Sequence, residues 1–293
     1  MFGNANGPKA PGITRCGPTS RFGKTARGAR PALHKNGEPI QFFNPCLSKI
    51  ISACRQTGVT HRQMLKVASY NIHKGVGLDR LRRPDRIIDV LCELDADIIA
   101  LQEADRRFGT RASALPPDLI LAQSPYVPVE LNKRDYSIGW HGNAILVRGD
   151  AEILTHAHIE LPTLEPRGAV MAEVHVKGVR LRIVGMHLDL SGLWRRRQAR
   201  AIIAALDARR PLPTILMGDL NEWTLHGGCL RDFAHHFRIA PTPPSFHTRQ
   251  PVARLDRIMV DKSLHITGCG VHHSLKSRRA SDHLPIWARI DFT

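Results

Sequence analysis

From residue 64 onward the chain alternates short apolar runs with polar stretches rich in Gly, Pro, Asn and Asp. The runs at 66–70, 97–101, 143–147, 168–174, 181–185, 213–217, 258–260 and 286–290 are dense in Val, Ile and Leu. Their shortness and their bounding turn residues predict buried strands rather than helices. Two longer stretches follow a helical period instead. Residues 81–94 set Ile87, Ile88, Val90, Leu91 and Leu94 on one side, with Pro84 near the first turn, where proline is tolerated. Cys92 falls on the apolar side of that helix. Residues 192–208 set Leu193, Ala199, Ile202, Ile203 and Leu206 on one side. Arg195, Arg196, Arg197 and Arg200 lie elsewhere on it, as a solvated face rather than a nucleic-acid groove. Strands alternating with helices early, then adjacent strands, predict an α+β fold of two mixed sheets packed face to face with helices outside.

What the runs end in is more specific than the runs themselves. The first stops at Asn71-Ile72-His73, and the second continues into Gln102-Glu103. Trp140-His141-Gly142 precedes the third, and Glu165-Pro166-Arg167 the fourth. The next two end in Met186-His187-Leu188-Asp189 and Gly218-Asp219-Leu220-Asn221. Arg254-Leu255-Asp256-Arg257 and Ser281-Asp282-His283 open the last two. Buried strands ending this way bring carboxylates, amides and imidazoles to the rim of a sheet. That chemistry suits metal-assisted attack on a phosphate ester: carboxylates hold a hard divalent ion, and His or Asp manages a proton. Taken singly each is weak, because Asp and Asn also form ordinary turns. Asp256 between Arg254 and Arg257 reads alone as a surface ion pair of little worth. Trp140, His141 and the remaining histidines read as structural.

The ordered series Asn71, Glu103, Arg167, His187, Asp219-x-Asn221, Asp256, Asp282-His283 resembles the endonuclease/exonuclease/phosphatase superfamily of deoxyribonuclease-like phosphoesterases. The likeness covers roughly residues 64–293, and Ser69-Tyr70-Asn71-Ile72-His73-Lys74-Gly75 is most similar to a bacterial subgroup. The resemblance implies a four-layer αββα sandwich with the strand-end residues converging at one rim. It implies Glu103 and Asp282 as ligands of Mg²⁺ or Mn²⁺, with Asn71 adding an amide oxygen. Asp219 is then the base that positions water, and Asn221 hydrogen-bonds the phosphate. His283 donates to a phosphate oxygen, while Asp256 fixes its tautomer and favours the imidazolium. His187 sits near the scissile phosphate, and Arg167 and Asn143 are phosphate and network contacts. One departure stands out: where many nucleases of the superfamily carry Asp, this chain has His73, a further candidate ligand that favours a softer ion such as Mn²⁺.

Loops 103–117 and 223–246 follow directly from site residues and should border the cleft, where specificity is set. Arg106, Arg107 and Arg111 in the first can grip a nucleic-acid backbone, an inositol phosphate or a lipid head group alike.

Composition narrows the partner. The 293 residues carry a net charge of +16, which points to polyanions. Residues 1–63 hold 10 Lys and Arg against the single acid Glu38, a net +9. That leaves 32 of the 42 basic and 25 of the 26 acidic side chains to the remaining 230 residues, a net +7. The first 63 residues also hold 8 Gly and 6 Pro with little apolar periodicity outside 46–53, which predicts a disordered extension. Met64 stands just before the first strand as an alternative start. Aromatic content is 5%, too low for an extensive base-stacking surface. No run approaches the roughly 20 apolar residues of a membrane span. Six cysteines without metal-ligand spacing suggest a reducing compartment. The expectation is a monomeric, cytoplasmic, Mg²⁺- or Mn²⁺-dependent phosphodiesterase, with nucleic acid as the first substrate class. A phospholipid or inositol-phosphate head group, with an anionic lipid surface as partner, is the second, and an inactive nucleic-acid-binding module the third.

Overall fold

Nearly every apolar run has side chains buried on both faces, which is why the runs read as continuous rather than alternating. In the computed structural model, which describes residues 63–105, 112–131 and 137–292, all the predicted strands form. In chain order the strands are β1 Gln63–Asn71, β2 Ile98–Gln102, β3 Tyr126–Pro128, β4 Ala144–Arg148, β5 Glu152–Ile159 and β6 Gly168–Val176. β7 Val179–His187, β8 Thr214–Asp219, β9 Phe237–Ile239, β10 Asp256–Asp261, β11 His265–Val271 and β12 Ile286–Phe292 follow. The helices are α1 Pro84–Leu94, α2 Pro117–Gln123, α3 Gly192–Asp207, α4 Gly228–Ala234 and α5 Ser277–Ala280. The basic extension through residue 62 and Arg106, Arg107 and Arg111 lie outside the described residues.

The strands form two six-stranded sheets, ordered β11-β12-β1-β2-β4-β3 and β5-β6-β7-β8-β10-β9. Successive residues of a strand point to opposite faces, and this sorts the core into three apolar layers. Val67, Ile98, Ile145, Val170, Ile183, Met217 and Ile258 meet between the sheets. Their neighbours Ala68, Ile99 and Leu146 pack outward against Ile87, Leu91 and Leu94 of α1. On the far side Met171, Val184, Leu216 and Met259 pack against Ala199 and Ile202 of α3 and Phe233 of α4. The result is the expected αββα sandwich.

Each sheet has a parallel pair at its heart. β1 runs parallel to β2, with Asn71 opposite Gln102, and β7 parallel to β8, with His187 opposite Asp219. The carboxyl ends of those four strands therefore open onto the same rim. β10 runs antiparallel to β8 and brings Asp256 opposite Asp219, and β12 runs antiparallel to β1.

Several local expectations are corrected. α1 starts at Pro84 rather than at residue 81, and Cys92 is exposed at its edge, with Sγ 3.5 Å from the Gln123 carbonyl. On α3, Arg195 is buried and Leu193 is exposed, the reverse of the expected faces. Arg195 turns inward because Glu222 and two carbonyls receive it (below). Asp256 and Arg257 are buried, so they are no surface pair. The stretch 223–246 is only partly loop, since it holds α4 and β9. Among the described residues no helix is long and apolar enough to cross a membrane.

Candidate active site

Sheet register alone sets three polar residues in a row: His187 ends β7, Asp219 ends β8 beside it, and Asp256 begins β10 beside that. Gly218 permits the close approach of β8 to β7, since a Cβ there would lie 1.9 Å from the Met186 carbonyl oxygen. The opposite sheet contributes Asn71, whose Nδ2 donates to Asp219 Oδ2 at 3.0 Å. His283, in the loop before β12, completes the group. Its Nδ1 lies 2.9 Å from Asp256 Oδ2 and its Nε2 3.7 Å from Asp219 Oδ2. His187 Nε2 approaches the same Asp219 oxygen at 3.5 Å. The other oxygen accepts the Asn221 backbone N–H at 2.9 Å. One carboxylate oxygen thus sits among an amide and two imidazoles, all buried.

The two imidazoles titrate in opposite directions. Burial alone would lower His283, but the charge and hydrogen bond of Asp256, helped by Asp219 and Asp282, override it and raise the ring to about 10. His187 is buried as deeply and has the Arg167 guanidinium beside it. Burial dominates there, the attraction of Asp219 does not compensate, and the ring falls to about 4. At neutral pH the site therefore holds one imidazolium and one neutral imidazole. Opposed shifts of this kind separate acid from base roles in a site.

Asn71, Glu103, Asp282 and His73 come from adjoining places, because β12, β1 and β2 are neighbours. Ser281 ties them: its hydroxyl donates to the Asn71 carbonyl at 2.7 Å and lies 3.3 Å from Asp282 Oδ1. His73 Nδ1 is 3.8 Å from Asp282 Oδ1 and 3.2 Å from the Val76 carbonyl. Glu103 is paired with the Lys74 ammonium, and the Lys74 N–H donates to the Glu103 carbonyl at 3.1 Å. Burial would raise the Glu103 carboxyl, but His187, Lys74 and His73 outweigh it and hold it below its ordinary range. His73, Lys74, Glu103 and Asn221 all adopt left-handed backbone, with φ of 45°, 57°, 54° and 50°. Such residues cost of order 1–3 kcal/mol each and gather where a site over-determines them.

A divalent ion fits this second group by donor chemistry. Two carboxylates and an amide oxygen suit a hard cation, and Glu103 already draws an ammonium. Among the described residues Asp219, Asp256 and His283 also bring ligand atoms within 4.8 Å of one another. Hydrogen bonds already join this group as a relay: Asp256 Oδ2 is engaged by His283 Nδ1 at 2.9 Å and accepts the Ser245 hydroxyl.

Asn143 and Arg167 close the far side. Asn143, just before β4, donates to the Gly168 carbonyl at 3.0 Å and so bridges the two sheets. Arg167 Nη1 lies 2.9 Å and 2.8 Å from the two ring nitrogens of His187. Buried polar atoms without hydrogen-bond partners are rare, and Asn143 Oδ1, Arg167 Nε and Asp256 Oδ1 are three of them. Asn221 Nδ2 is engaged by the Leu188 carbonyl at 2.9 Å. Three participants carry no functional signal in the sequence. Lys74 stood inside the opening motif, but only its left-handed turn carries it to Glu103. Ser245, whose hydroxyl bonds Asp256, and Phe246, whose ring centroid is 4.8 Å from that of His283, come from a loop with no periodic signal.

A model described as the Endonuclease/Exonuclease/phosphatase family matches residues 68–283. The chain belongs to this family. Its members are hydrolases acting on phosphate esters and are generally dependent on a divalent metal. The chain is 27% identical over 252 residues to YbhP, an uncharacterized protein of Escherichia coli K12, covering 79% of this chain and 98% of that one. Solved structures of the family share the fold. An endonuclease/exonuclease/phosphatase family protein of Bacteroides thetaiotaomicron superposes with a TM-score of 0.64 at 21% identity, covering 80% of this chain and 99% of that one. A mannosyl-6-phosphatase of the same organism gives 0.61 at 21% identity, with 78% and 100% covered. The catalytic domain of human Nocturnin gives 0.60 at 21% identity, with 79% and 96% covered.

Proposed function

We propose that this chain hydrolyses phosphodiester bonds with a divalent metal ion, Mg²⁺ or Mn²⁺. The observation that carries the reading is Asp219 Oδ2 set between Asn71, His187 and an imidazolium His283 that is itself anchored by Asp256. Glu103 and Asp282 would hold the ion with Asn71, and His73, 3.8 Å from Asp282, would be a further donor. When bound, the ion neutralises phosphate charge and lowers the pKa of a water.

The remaining roles fall to the chain itself. His283 keeps its proton at neutral pH, so it donates to a phosphate oxygen and Asp219 is the acceptor for the proton of the attacking water. As the new P–O bond forms, the ester P–O bond breaks and the leaving oxygen takes a proton from solvent. Asp256 holds the His283 ring in place, as the carboxylate does in other His–Asp pairs. Arg167 keeps its guanidinium against the His187 ring, Asn143 ties the two sheets through the Gly168 carbonyl, and Asn221 shapes the loop that presents Asp219.

Net charge favours nucleic acid as the substrate class, with over half of that charge on residues 1–63. The test is a screen of supercoiled plasmid, abasic oligonucleotide, phospholipid vesicles and a chromogenic diester, with and without EDTA. Turnover of at least one substrate that needs Mg²⁺ or Mn²⁺ is expected. Metal-independent turnover, or none on any substrate, would sink the assignment.

A further inference from the structure

The rim that carries the site also carries more than half of the large exposed apolar side chains among the described residues. Of the eleven large hydrophobic side chains exposed among the described residues, six surround the site: Leu164, Leu190, Trp223, Leu225 and Val252 on its loops and Leu193 on the first turn of α3. Leu164 lies in the β5–β6 connection that ends at Arg167. Leu190 and Leu193 follow β7 and His187. Trp223 and Leu225 follow β8 and Asp219, and Val252 shares its loop with Phe246. A chain of rings leads from this fringe to the chemistry, with centroids 6.2 Å apart from Trp223 to Phe246 and 4.8 Å from Phe246 to His283.

These tips are held by buried polar side chains that have no part in the relay. Arg195 donates to the Leu190 carbonyl at 2.6 Å and to Glu222 Oε2 at 3.3 Å, the residue before Trp223. Gln198 accepts the Asp189 N–H at 2.9 Å and donates to the Pro162 carbonyl at 3.1 Å. Two inward-facing residues of α3 thus tie together the three loops that bear Leu164, Leu190 and Trp223. Apolar tips left to flutter in water would need no such scaffold. Fixed exposed apolar patches on soluble chains mark interaction sites.

The charge around the fringe selects the partner. Arg197, Arg249 and Arg254 are exposed and have no ion pair among the described residues. The nearby acids are engaged, Glu165 with Arg167 and Asp232 with Arg196 and Arg200. Leucine and tryptophan tips set among arginines match the needs of an anionic bilayer interface, where apolar side chains enter the acyl boundary and cations meet head groups.

We propose that this rim docks on an anionic phospholipid surface and presents the site to phosphate esters of amphiphiles. The substrate class rests on the hydrolase reading above, whereas the docking does not. The experiment is flotation of the full chain with vesicles of pure phosphatidylcholine and of phosphatidylcholine mixed equally with phosphatidylglycerol. The Leu190→Ser/Leu193→Ser/Leu225→Ser and Arg249→Gln/Arg254→Gln variants run alongside, with turnover of a soluble chromogenic diester in parallel. Binding should favour the anionic vesicles and fall at least tenfold in the leucine variant at any salt. In the arginine variant it should fall mainly at low salt, with soluble turnover unchanged in the leucine variant. Brominated lipid should quench Trp fluorescence in wild type and less in Trp223→Phe. A folded protein that cleaves the soluble diester yet ignores both vesicles would overturn the docking alone. So would vesicle binding indifferent to the leucine variant, or a concentration-dependent dimer abolished by it, which would give the surface to a second copy. Vesicle binding without turnover of any ester would leave docking standing and remove the hydrolase reading.

Discussion

Replacing Asp256 by Asn removes one charge, keeps the shape, and leaves a side chain that can still hydrogen-bond. Its consequence follows from the balance at His283. The ring is held at about 10 because the Asp256 carboxylate, 2.9 Å away, outweighs burial. Without that carboxylate only Asp219, 3.7 Å away, and Asp282 oppose burial, and the ring falls toward its ordinary 6.5. At pH 7 a group of pKa 6.5 is protonated in about a quarter of molecules, where the wild-type ring is protonated in nearly all. The asparagine also frees the ring to take the wrong tautomer. Positioned acid–base groups contribute roughly 10²–10⁴-fold in rate, and loss of the orienting carboxylate in a His–Asp pair lies at the upper end. We expect kcat on a chromogenic diester to fall about 10²-fold or more at pH 7, with partial recovery toward pH 5.5 as the ring reprotonates. Stability moves with it. A folded pKa above the unfolded one stabilises fully below about 6.5 and is lost as pH rises through 10, so the variant should lose stability at neutral pH but little above pH 10. Kinetics against pH, with melting curves to verify folding, measure both. A folded Asp256→Asn protein within threefold of wild type at every pH would refute the relay.

Further expectations concern the neighbours. Glu103→Gln should weaken Mn²⁺ binding at least tenfold in an EPR titration, and Lys74→Ala should strengthen it, because a competing ammonium is removed. Equal affinity in all three proteins would place the ion elsewhere. His187, held at about 4 against 6.5 when unfolded, resists a proton that the unfolded chain accepts, so stability is full above about 6.5 and declines toward 4. The decline is about 3 kcal/mol at most, and melting temperatures of His187→Gln should show a shallower acid loss. Gly218→Ala forces a methyl to within 1.9 Å of the Met186 carbonyl oxygen and should cost about 1–3 kcal/mol by overpacking, measurable by urea denaturation.

The fold was legible where burial is strongest. Strands such as β7 and β8 announce themselves because Ile183, Val184, Ile215 and Leu216 are enclosed on alternate faces by the partner sheet and a helix. β5 did not, because it is an edge strand whose Glu152, Thr155 and His156 face solvent. The site was legible as strand ends, since a buried run that stops at Asp or His must put that side chain at the rim. Its supporting contacts were not. Lys74 reaches Glu103 through a left-handed backbone that sequence does not signal for lysine, and Arg195 turns inward only because Glu222, distant in sequence, meets it. Both are contacts of tertiary origin between residues 27 to 29 apart.

The parallel pairs at the centre of each sheet divide the molecule into two kinds of real estate. Strand directions deliver Asn71, Gln102, His187 and Asp219 to one end irrespective of what the connecting loops contain. The loops at that end either leave from a site residue, as after Asn71, His187 and Asp219, or lead into one, as before Arg167 and Asp256, so their lengths and tips can change while the site residues stay fixed. Lineages built on this frame can therefore inherit their chemistry and their choice of target separately.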